Sequence, residues 1–253
     1  PEPIQRNLKE FEDIIKLSEG EIASGLVTDG DADRIGLYDQ DGNFVDSHHI
    51  LLLLIHYMHK VKGLSGDVYS TFSCTSKIQK LCDAYGLKNI VTKIGFKYIC
   101  DLIVNSGNPF LVGGEESGGI AVAGHIPERD GIWIGLIVWE FIAKSGRSLS
   151  ELVQEIYDVV GKFAVERYDL HVTEELKQQI ISNSKGGKYT SFGDLKVSRI
   201  EDMDGYKFFF EDESWVMIRP SGTEPVLRVY AEAPGSAEAF KILKAEYHDT
   251  YGN

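Results

Sequence analysis

The order of apolar and polar positions predicts alternating strands and helices in the first part of the chain. Short apolar runs over 68–72, 89–92 and 110–112 predict buried strands, and the last of these ends in glycines. Apolar positions at spacings of three and four predict helices between and around the strands. These predicted helices cover 8–15, 47–62, 76–85, 98–105 and 131–144. Strands that alternate with helices of this length are typical of a mixed α/β domain with a largely parallel sheet.

The pattern changes in the second part of the chain. Ser148 and Glu151 match the capping box of a new helix, which we expect to end at Gly161. After it, strands outnumber helices. The predicted strands cover 163–172, 195–201, 206–211, 214–219 and 226–233, and the predicted helices cover 174–183 and 236–248. Several strands for each helix predict a smaller α+β domain with an antiparallel sheet.

Composition limits the classes of protein that this chain can represent. It has 253 residues, with 26 Lys+Arg against 39 Asp+Glu and a formal net charge of −13. The excess of acid argues against a nucleic-acid partner or an anionic membrane surface. The longest apolar run, 50–55, is too short to cross a bilayer. The three cysteines form no CxxC motif, which favours reduced thiols and a cytoplasmic protein.

An acidic segment between two short apolar runs is the first candidate for chemistry. Asp29, Asp31 and Asp33 alternate with other residues, so an extended backbone would place all three carboxylates on one face. Oxygen ligands of this kind favour Mg²⁺, which would offset their mutual repulsion. An EF-hand is excluded because its sixth position would be Arg34 instead of glycine. An acidic surface turn remains the alternative.

Two loops that follow predicted strands are the other candidates. Residues 113–119 read GGEESGG, where glycines allow a close approach to a ligand and Glu115 and Ser117 offer groups that suit sugar hydroxyls. Residues 219–225 read RPSGTEP and are followed by Arg228. Backbone N–H groups, hydroxyls and two guanidinium groups there would make a phosphate-binding nest. A plain turn and an ordinary hairpin loop with exposed arginines are the respective alternatives.

Four motifs in this order resemble those of the α-D-phosphohexomutases, the phosphoglucomutase and phosphomannomutase superfamily. They are DGDADR at 29–34, TKIGFKY at 92–98, GEESGG at 114–119 and RPSGTEP at 219–225. Proteins of this family have four domains. The resemblance implies that residues 1–42 are the end of domain 2 with the metal loop and that residues 43–150 are domain 3 with the sugar-binding loop. Residues 151–253 would be a linker and domain 4 with the phosphate-binding loop.

The resemblance also implies roles for individual residues. Asp29, Asp31 and Asp33 would bind Mg²⁺, and Glu115 and Ser117 would select sugar hydroxyls. The phosphate that is not transferred would be held by Arg219, Ser221, Gly222, Thr223 and Arg228. The candidate catalytic side chains are Arg34, Lys97 and Arg129. Relatives often carry lysine where this chain has Arg129, so the identity of the general acid or base is left open, because arginine does not readily lose a proton.

The implied activity belongs to a longer protein. Such enzymes interconvert hexose 1-phosphate and hexose 6-phosphate through a bisphosphorylated sugar, using a phosphoserine in a Ser-His motif of the first domain. We find no such loop here. Ser47 precedes His48 but opens an apolar helix, which it is expected to cap. We therefore expect a C-terminal portion that is inactive without its N-terminal domains.

Three other functions remain open at this point. The chain could belong to a phosphoglucosamine mutase, to a phosphopentomutase-like relative, or to a non-catalytic module that binds sugar phosphates. Glu116, the variable position of the GEESGG motif, favours glucose or mannose phosphates as substrates.

Overall fold

The computed structural model describes residues 2–221 and 225–251, and the chain forms two compact units, Pro1–Val160 and Gly161–Asn253. Unit 1 contains both α-helices and β-strands. Its elements are α1 (Lys9–Leu17), β1 (Ser24–Thr28), β2 (Ile35–Asp39), β3 (Phe44–Val45), α2 (Ser47–His56), a π-helical turn (Tyr57–Val61), β4 (Asp67–Thr71), α3 (Lys77–Tyr85), β5 (Asn89–Thr92), α4 (Phe96–Asn105), β6 (Phe110–Gly114), β7 (Ile120–Val122), α5 (Gly131–Ser145) and α6 (Leu149–Val160).

The larger sheet of unit 1 has the strand order β5-β4-β6-β7. The pairs β4–β5 and β4–β6 are parallel, whereas β7 runs antiparallel to β6. The carboxyl ends of β4 and β6 therefore lie side by side, and the GEESGG motif connects β6 to β7. This connection places the motif at the end of the sheet where open α/β folds bind their ligands.

A small antiparallel sheet, β1-β2-β3, carries the acidic segment in the turn between its first two strands. Helix α5 packs on β1 and β2. Gly135 makes this close packing feasible, since a Cβ atom there would collide with the Leu26 side chain. Helix α6 packs on α2 and α3, so it belongs to unit 1, which ends at residue 160 instead of the expected residue 150.

Unit 2 is built on one antiparallel sheet with the strand order β8-β13-β12-β11-β10-β9. Its elements are β8 (Ala164–His171), α7 (Glu174–Lys185), β9 (Ser191–Phe192), β10 (Leu195–Glu201), β11 (Tyr206–Phe210), β12 (Trp215–Pro220), β13 (Val226–Ala233) and α8 (Ser236–Tyr251). Ile180 of α7 and Leu243 of α8 belong to one core with alternate residues of the strands, among them Phe208 and Val216. The expected fold class, mixed α/β followed by a smaller α+β domain with an antiparallel sheet, is confirmed.

Among the residues that the structure describes, no helix is both long enough and apolar enough to cross a membrane.

A buried glutamate in unit 2 leads to a prediction about stability. Burial raises the pKa of Glu246 on α8 to about 8, and its Oε1 accepts a hydrogen bond of 3.0 Å from Thr250. Between about pH 4.5 and about pH 8 the folded state holds a proton that the unfolded state has lost, so the free energy of unfolding should fall by a few kcal/mol as the pH rises through this range. Glu246→Gln keeps the acceptor and should flatten the dependence.

Thermal unfolding measured at several pH values tests this prediction. Glu238→Gln changes an exposed carboxylate of the same helix and is the matched control. The loss of stability between about pH 4.5 and about pH 8 should disappear in Glu246→Gln and persist in the control. Parallel curves for wild type and Glu246→Gln would show that the carboxyl group of Glu246 does not titrate in this range.

Candidate functional site

The three aspartates converge, but a turn brings them together and not an extended backbone. One carboxylate oxygen from each of Asp29, Asp31 and Asp33 lies within 4.8 Å of those from the other two. The Ala32 N–H donates to the Asp29 carbonyl at 3.2 Å, and Ala32 has a φ of 59°, which is unfavourable for a residue with a side chain. The Gly131 N–H, at the start of α5, donates to the Ala32 carbonyl at 2.9 Å and helps to hold this turn.

Two arginines partly neutralise the acidic turn. The Arg34 Nε lies 2.7 Å from Asp29 Oδ2, and the Arg129 Nη2 lies 2.7 Å from Asp33 Oδ2. Burial opposes ionisation of Asp29, but the backbone N–H and the positive charge of Arg34 outweigh it and lower its pKa. Burial raises the pKa of Asp33, and the charges of Asp29 and Asp31 add to this effect despite Arg129. The two arginines therefore leave part of the negative charge of the three aspartates unbalanced.

The donor set of the acidic turn fits a hard divalent cation. All three ligands are carboxylates, and Asp33 Oδ1 is a buried oxygen without a hydrogen-bond donor among the residues described. A small doubly charged ion that binds oxygen would satisfy this atom and offset both the burial and the repulsion that raise the pKa of Asp33. Asp29, Asp31 and Asp33 are the residues that would hold it.

The GEESGG motif forms a closed turn that is attached to the acidic turn. The Glu115 N–H donates to the Gly119 carbonyl at 3.0 Å, and the Gly118 N–H donates to the Glu115 carbonyl at 3.2 Å. The Ile35 N–H donates to the Gly118 carbonyl at 3.2 Å, and Arg34 forms a β-bridge with Gly119. Gly118 has a φ of 96°, and a Cβ atom there would lie 2.7 Å from the Ile35 carbonyl oxygen, so only glycine fits this approach.

Glu115 is the most perturbed carboxyl group of this region. It is 6% exposed, and burial together with the charge of Glu116 raises its pKa to about 7. Its Oε2 lies 3.9 Å from the Arg129 Nη1, so Arg129 lies between Glu115 and Asp33. Glu115 therefore changes charge near neutral pH, and it can accept a proton or a hydroxyl hydrogen bond. Ser117 is half-buried in the same turn.

The TKIGFKY segment contacts Glu115 through its glycine, Gly95. A hydrogen bond from the Gly95 backbone favours the charged form of Glu115, and Gly95 is the residue before α4. Lys97 lies exposed in the first turn of α4, with Nζ 4.9 Å from the centre of the Tyr98 ring. In the described part of the chain, no ion pair or hydrogen bond joins Lys97 to the acidic turn or to Glu115.

In unit 2, two arginines of the expected phosphate loop lie opposite each other on paired strands. Arg219 of β12 is the direct partner of Arg228 of β13 in the antiparallel register. Like charges in this position repel each other unless an anion lies between them. The Nε atoms of both side chains are buried and lack an acceptor among the described residues, although Asp204 lies 3.7 Å from the Arg219 Nη2. The pair thus provides donors for a bound anion.

The structure describes Ser221 at the start of this loop. The Ser221 N–H donates to the Val226 carbonyl at 2.9 Å, which closes the loop between the two strands. Gly222 and Thr223, which the sequence also assigned to the phosphate site, lie outside the described residues.

A buried lysine that the sequence did not indicate contacts the phosphate loop. Lys177 of α7 is only 8% exposed, and its Nζ donates to the Ser221 carbonyl at 3.1 Å. It also lies 3.1 Å from a carboxylate oxygen of Glu174. Lys177 is 44 positions away from Ser221 in sequence. No motif marks it, and the helical pattern alone would assign it to a solvated face.

Lys177→Met should loosen the phosphate loop while α7 stays folded. Loss of a hydrogen bond from a buried ammonium group is expected to weaken phosphate binding by about tenfold. Calorimetric titration with glucose 1,6-bisphosphate measures this change, and Lys185→Met, which removes an exposed positive charge from the same helix, is the control. Equal affinities for the two variants would show that the hydrogen bond of Lys177 to the loop does not contribute to phosphate binding.

Comparison with known proteins assigns both units. The family model described as phosphoglucomutase/phosphomannomutase, alpha/beta/alpha domain III, matches residues 46–160. The model for the C-terminal domain of the same family matches residues 166–249. The chain therefore belongs to the phosphoglucomutase/phosphomannomutase family, as its motifs indicated, and its two matched segments correspond to domain III and the C-terminal domain of that family.

Similar sequences carry two different enzyme names. The chain is 30% identical over 245 residues to a phosphoglucomutase/phosphomannomutase of Thermococcus kodakarensis, covering 96% of this chain and 50% of the relative. It is 33% identical over 248 residues to a phosphoglucosamine mutase of Methanococcus maripaludis, covering 96% and 52% respectively. The chain thus spans about half the length of the curated relatives it matches.

Solved structures give the same picture of the fold. A candidate phosphomannomutase from Thermus thermophilus superimposes with a TM-score of 0.80 at 28% identity, covering 97% of this chain and 50% of the other. The open form of the phosphoglucomutase parafusin from Paramecium gives a TM-score of 0.79 at 20% identity, with coverage of 100% and 51%. The second similarity is evidence for the fold only.

Proposed function

We propose that this chain is the C-terminal portion of a Mg²⁺-dependent phosphohexomutase that interconverts hexose 1-phosphate and hexose 6-phosphate. The observation that carries the proposal is the attachment of the acidic turn to the GEESGG turn. Backbone contacts from Arg34 and Ile35 reach Gly119 and Gly118, and Arg129 lies between Asp33 and Glu115. A group of carboxylates suited to a cation is thereby held beside a turn suited to sugar hydroxyls.

Each group of residues has a task in this reaction. Asp29, Asp31 and Asp33 would hold the cation, which when bound supplies positive charge for the phosphoryl group that is transferred. Glu115 accepts a hydrogen bond from a sugar hydroxyl. Its raised pKa allows it to exchange a proton near neutral pH. Arg129 would orient Glu115 and Asp33 instead of transferring a proton, because arginine does not readily lose one.

The phosphate loop would bind whichever phosphate of the sugar is not being transferred. Arg219 and Arg228 would bind the phosphate that is not transferred, because their opposed guanidinium groups provide donors for an anion. A bisphosphorylated hexose carries a phosphate at each end, so the same loop serves it in either orientation.

We further propose that the donor phosphoserine lies in the part of the protein outside this chain. Ser47 does not fit that role, since it is 7% exposed and its hydroxyl donates to the Glu116 carbonyl. The N-terminal domains would thus be the obligatory partner of this chain, which should bind hexose phosphates without turnover when isolated. Its three cysteines, all of them in the part of the chain that the structure describes, form no disulfide bond, which is in keeping with a protein of the reducing cytoplasm.

A mutase assay of the whole protein tests the proposed function. Glucose 1-phosphate, mannose 1-phosphate and glucosamine 1-phosphate should be offered separately, with Mg²⁺ and a trace of the matching bisphosphate. Conversion to the 6-phosphate is expected for at least one sugar. A preference for glucosamine phosphate would support the second candidate, a phosphoglucosamine mutase, which the Methanococcus maripaludis relative favours. Binding without conversion of any sugar would instead support a non-catalytic module.

A further inference from the structure

The two consecutive glutamates of the GEESGG motif have different surroundings. Glu115 lies beside Arg129 and the acidic turn, as described above. Glu116 directs its carboxylate to the end of β4, where Oε2 accepts hydrogen bonds from the Ser73 hydroxyl and, at 3.3 Å, from the Thr71 hydroxyl. Thr71 is 1% exposed and Ser73 is fully buried. The carboxylate of Glu116 is thus bound by two side chains of the protein itself, one at the end of β4 and one just after it.

The backbone of Glu116 is held from a second direction. The Ser47 hydroxyl, in the first turn of α2, donates a hydrogen bond to the Glu116 carbonyl. The expectation that Ser47 caps this helix was wrong. Asp46 is the cap, since its carboxylate accepts a hydrogen bond of 3.0 Å from the His49 N–H, and this leaves the Ser47 hydroxyl available for the loop.

Glycines on both sides make these contacts important for the loop. Gly113 and Gly114 precede the two glutamates, and Gly118 and Gly119 follow Ser117, so these positions have no side chains that could pack. Gly113 and Gly114 pair with β4 and β7 in the large sheet, and the hydrogen bonds between Glu115 and residues 118 and 119 close the turn beyond these strands. Glu116 adds contacts of the turn itself, through its carboxylate to the end of β4 and through its carbonyl to the start of α2.

We propose that Glu116 is a positioning residue whose contacts with Ser73, Thr71 and Ser47 hold the sugar-binding turn in the conformation that presents Glu115 and Ser117. This inference rests on the proposed function for the meaning of the turn, but the contacts themselves do not depend on it. It assigns Glu116 to sugar selection through loop geometry and not through direct contact with a hydroxyl.

Two substitutions separate the hydrogen bonds of Glu116 from its charge. Glu116→Gln and Glu116→Leu both remove the negative charge, so both lower the pKa of Glu115 in the same direction. Only glutamine keeps an oxygen that can accept from Ser73 and Thr71. A difference between the two variants therefore reports on the hydrogen bonds. Ser73→Ala removes one donor and leaves the charge in place.

Amide hydrogen exchange of the isolated chain tests the attachment without substrate. Exchange over 113–119 should be about tenfold faster in Glu116→Leu, because buried hydroxyl groups lose a charged acceptor, and close to wild type in Glu116→Gln. Ser73→Ala should reproduce most of the increase, and it provides the comparison if the leucine variant does not fold. Equal exchange in wild type, Glu116→Leu and Ser73→Ala would overturn the proposal.

Kinetics of the whole protein distinguish this proposal from the proposed function. Glu116→Leu should lower kcat/KM for the hexose phosphate by about tenfold, and glutamine should recover most of the loss. Affinity of the isolated chain for inorganic phosphate should be the same in all variants, since the phosphate loop belongs to unit 2. If the whole protein shows no mutase activity, the proposed function fails while the exchange comparison still decides the role of Glu116. Activity that is equal in the leucine and glutamine variants would overturn the positioning role alone.

Discussion

Asp31→Asn is expected to weaken binding of Mg²⁺ to this chain by about a hundredfold or more, because one of three charged ligands becomes neutral. Asp31 is the most informative of the three aspartates. Asp29 is paired with Arg34 and Asp33 with Arg129, whereas Asp31 is exposed and makes no ion pair in the portion that the structure describes. Replacing it removes a ligand without releasing an arginine.

Calorimetric titration with Mg²⁺ measures this effect, and the whole protein should lose activity in parallel. Asp41→Asn is the matched control, since it neutralises an exposed aspartate in the next turn of the same small sheet. The control should bind Mg²⁺ as wild type does. If Asp31→Asn and Asp41→Asn lost the same small amount of affinity, the acidic turn would attract cations only through its general charge.

Arg219→Met is expected to lower affinity for hexose bisphosphate by about a hundredfold, because charge-assisted hydrogen bonds to a phosphate are lost. Without ligand, the same substitution should leave unit 2 as stable as before or slightly more stable, since it removes the repulsion with Arg228 on the opposite strand. Replacing a residue with a purely structural role would instead lower the stability of unit 2 and leave the affinity for the ligand unchanged. Arg219→Lys should recover only part of the affinity, since an ammonium group cannot present two parallel donors.

Thermal unfolding with and without glucose 1,6-bisphosphate measures both effects in one experiment. The ligand should raise the Tm of the wild-type chain through binding linkage and leave that of Arg219→Met nearly unchanged. Arg199→Met on β10 removes an exposed guanidinium group of the same sheet and should keep the ligand-induced shift. A full shift in Arg219→Met would exclude Arg219 from the phosphate site.

Local patterns were sufficient to predict most of the helices and strands. The strand over 89–92 was predicted with the bounds that the structure gives, and β4 and β6 begin or end within two residues of the predicted positions. Apolar periodicity reports how each segment faces the core, which is a local property. The three-residue strand β7 was missed because it is too short to show a period.

The candidate site was predictable in its residue types but not in its connections. The aspartates do converge, yet the expected reason was wrong, because Ala32 bends the backbone into a turn. The contacts of Glu116 with Ser47 and Ser73 join residues 69 and 43 positions apart, and a sequence pattern cannot show which distant donors meet an acceptor. Arg129 was proposed as a catalytic residue, and only the coordinates show that it lies between Asp33 and Glu115.

The proposed function depends on Asp29, Asp31 and Asp33 holding one divalent cation together. Anomalous diffraction from crystals of the chain soaked in Mn²⁺, which replaces Mg²⁺ and scatters strongly, tests it most directly. We expect one strong peak at about 2 Å from a carboxylate oxygen of each aspartate, with Arg129 moved away from Asp33 or left on its other oxygen. A peak elsewhere, or a saturated soak with no peak at this turn, would show that the three aspartates do not form a cation site.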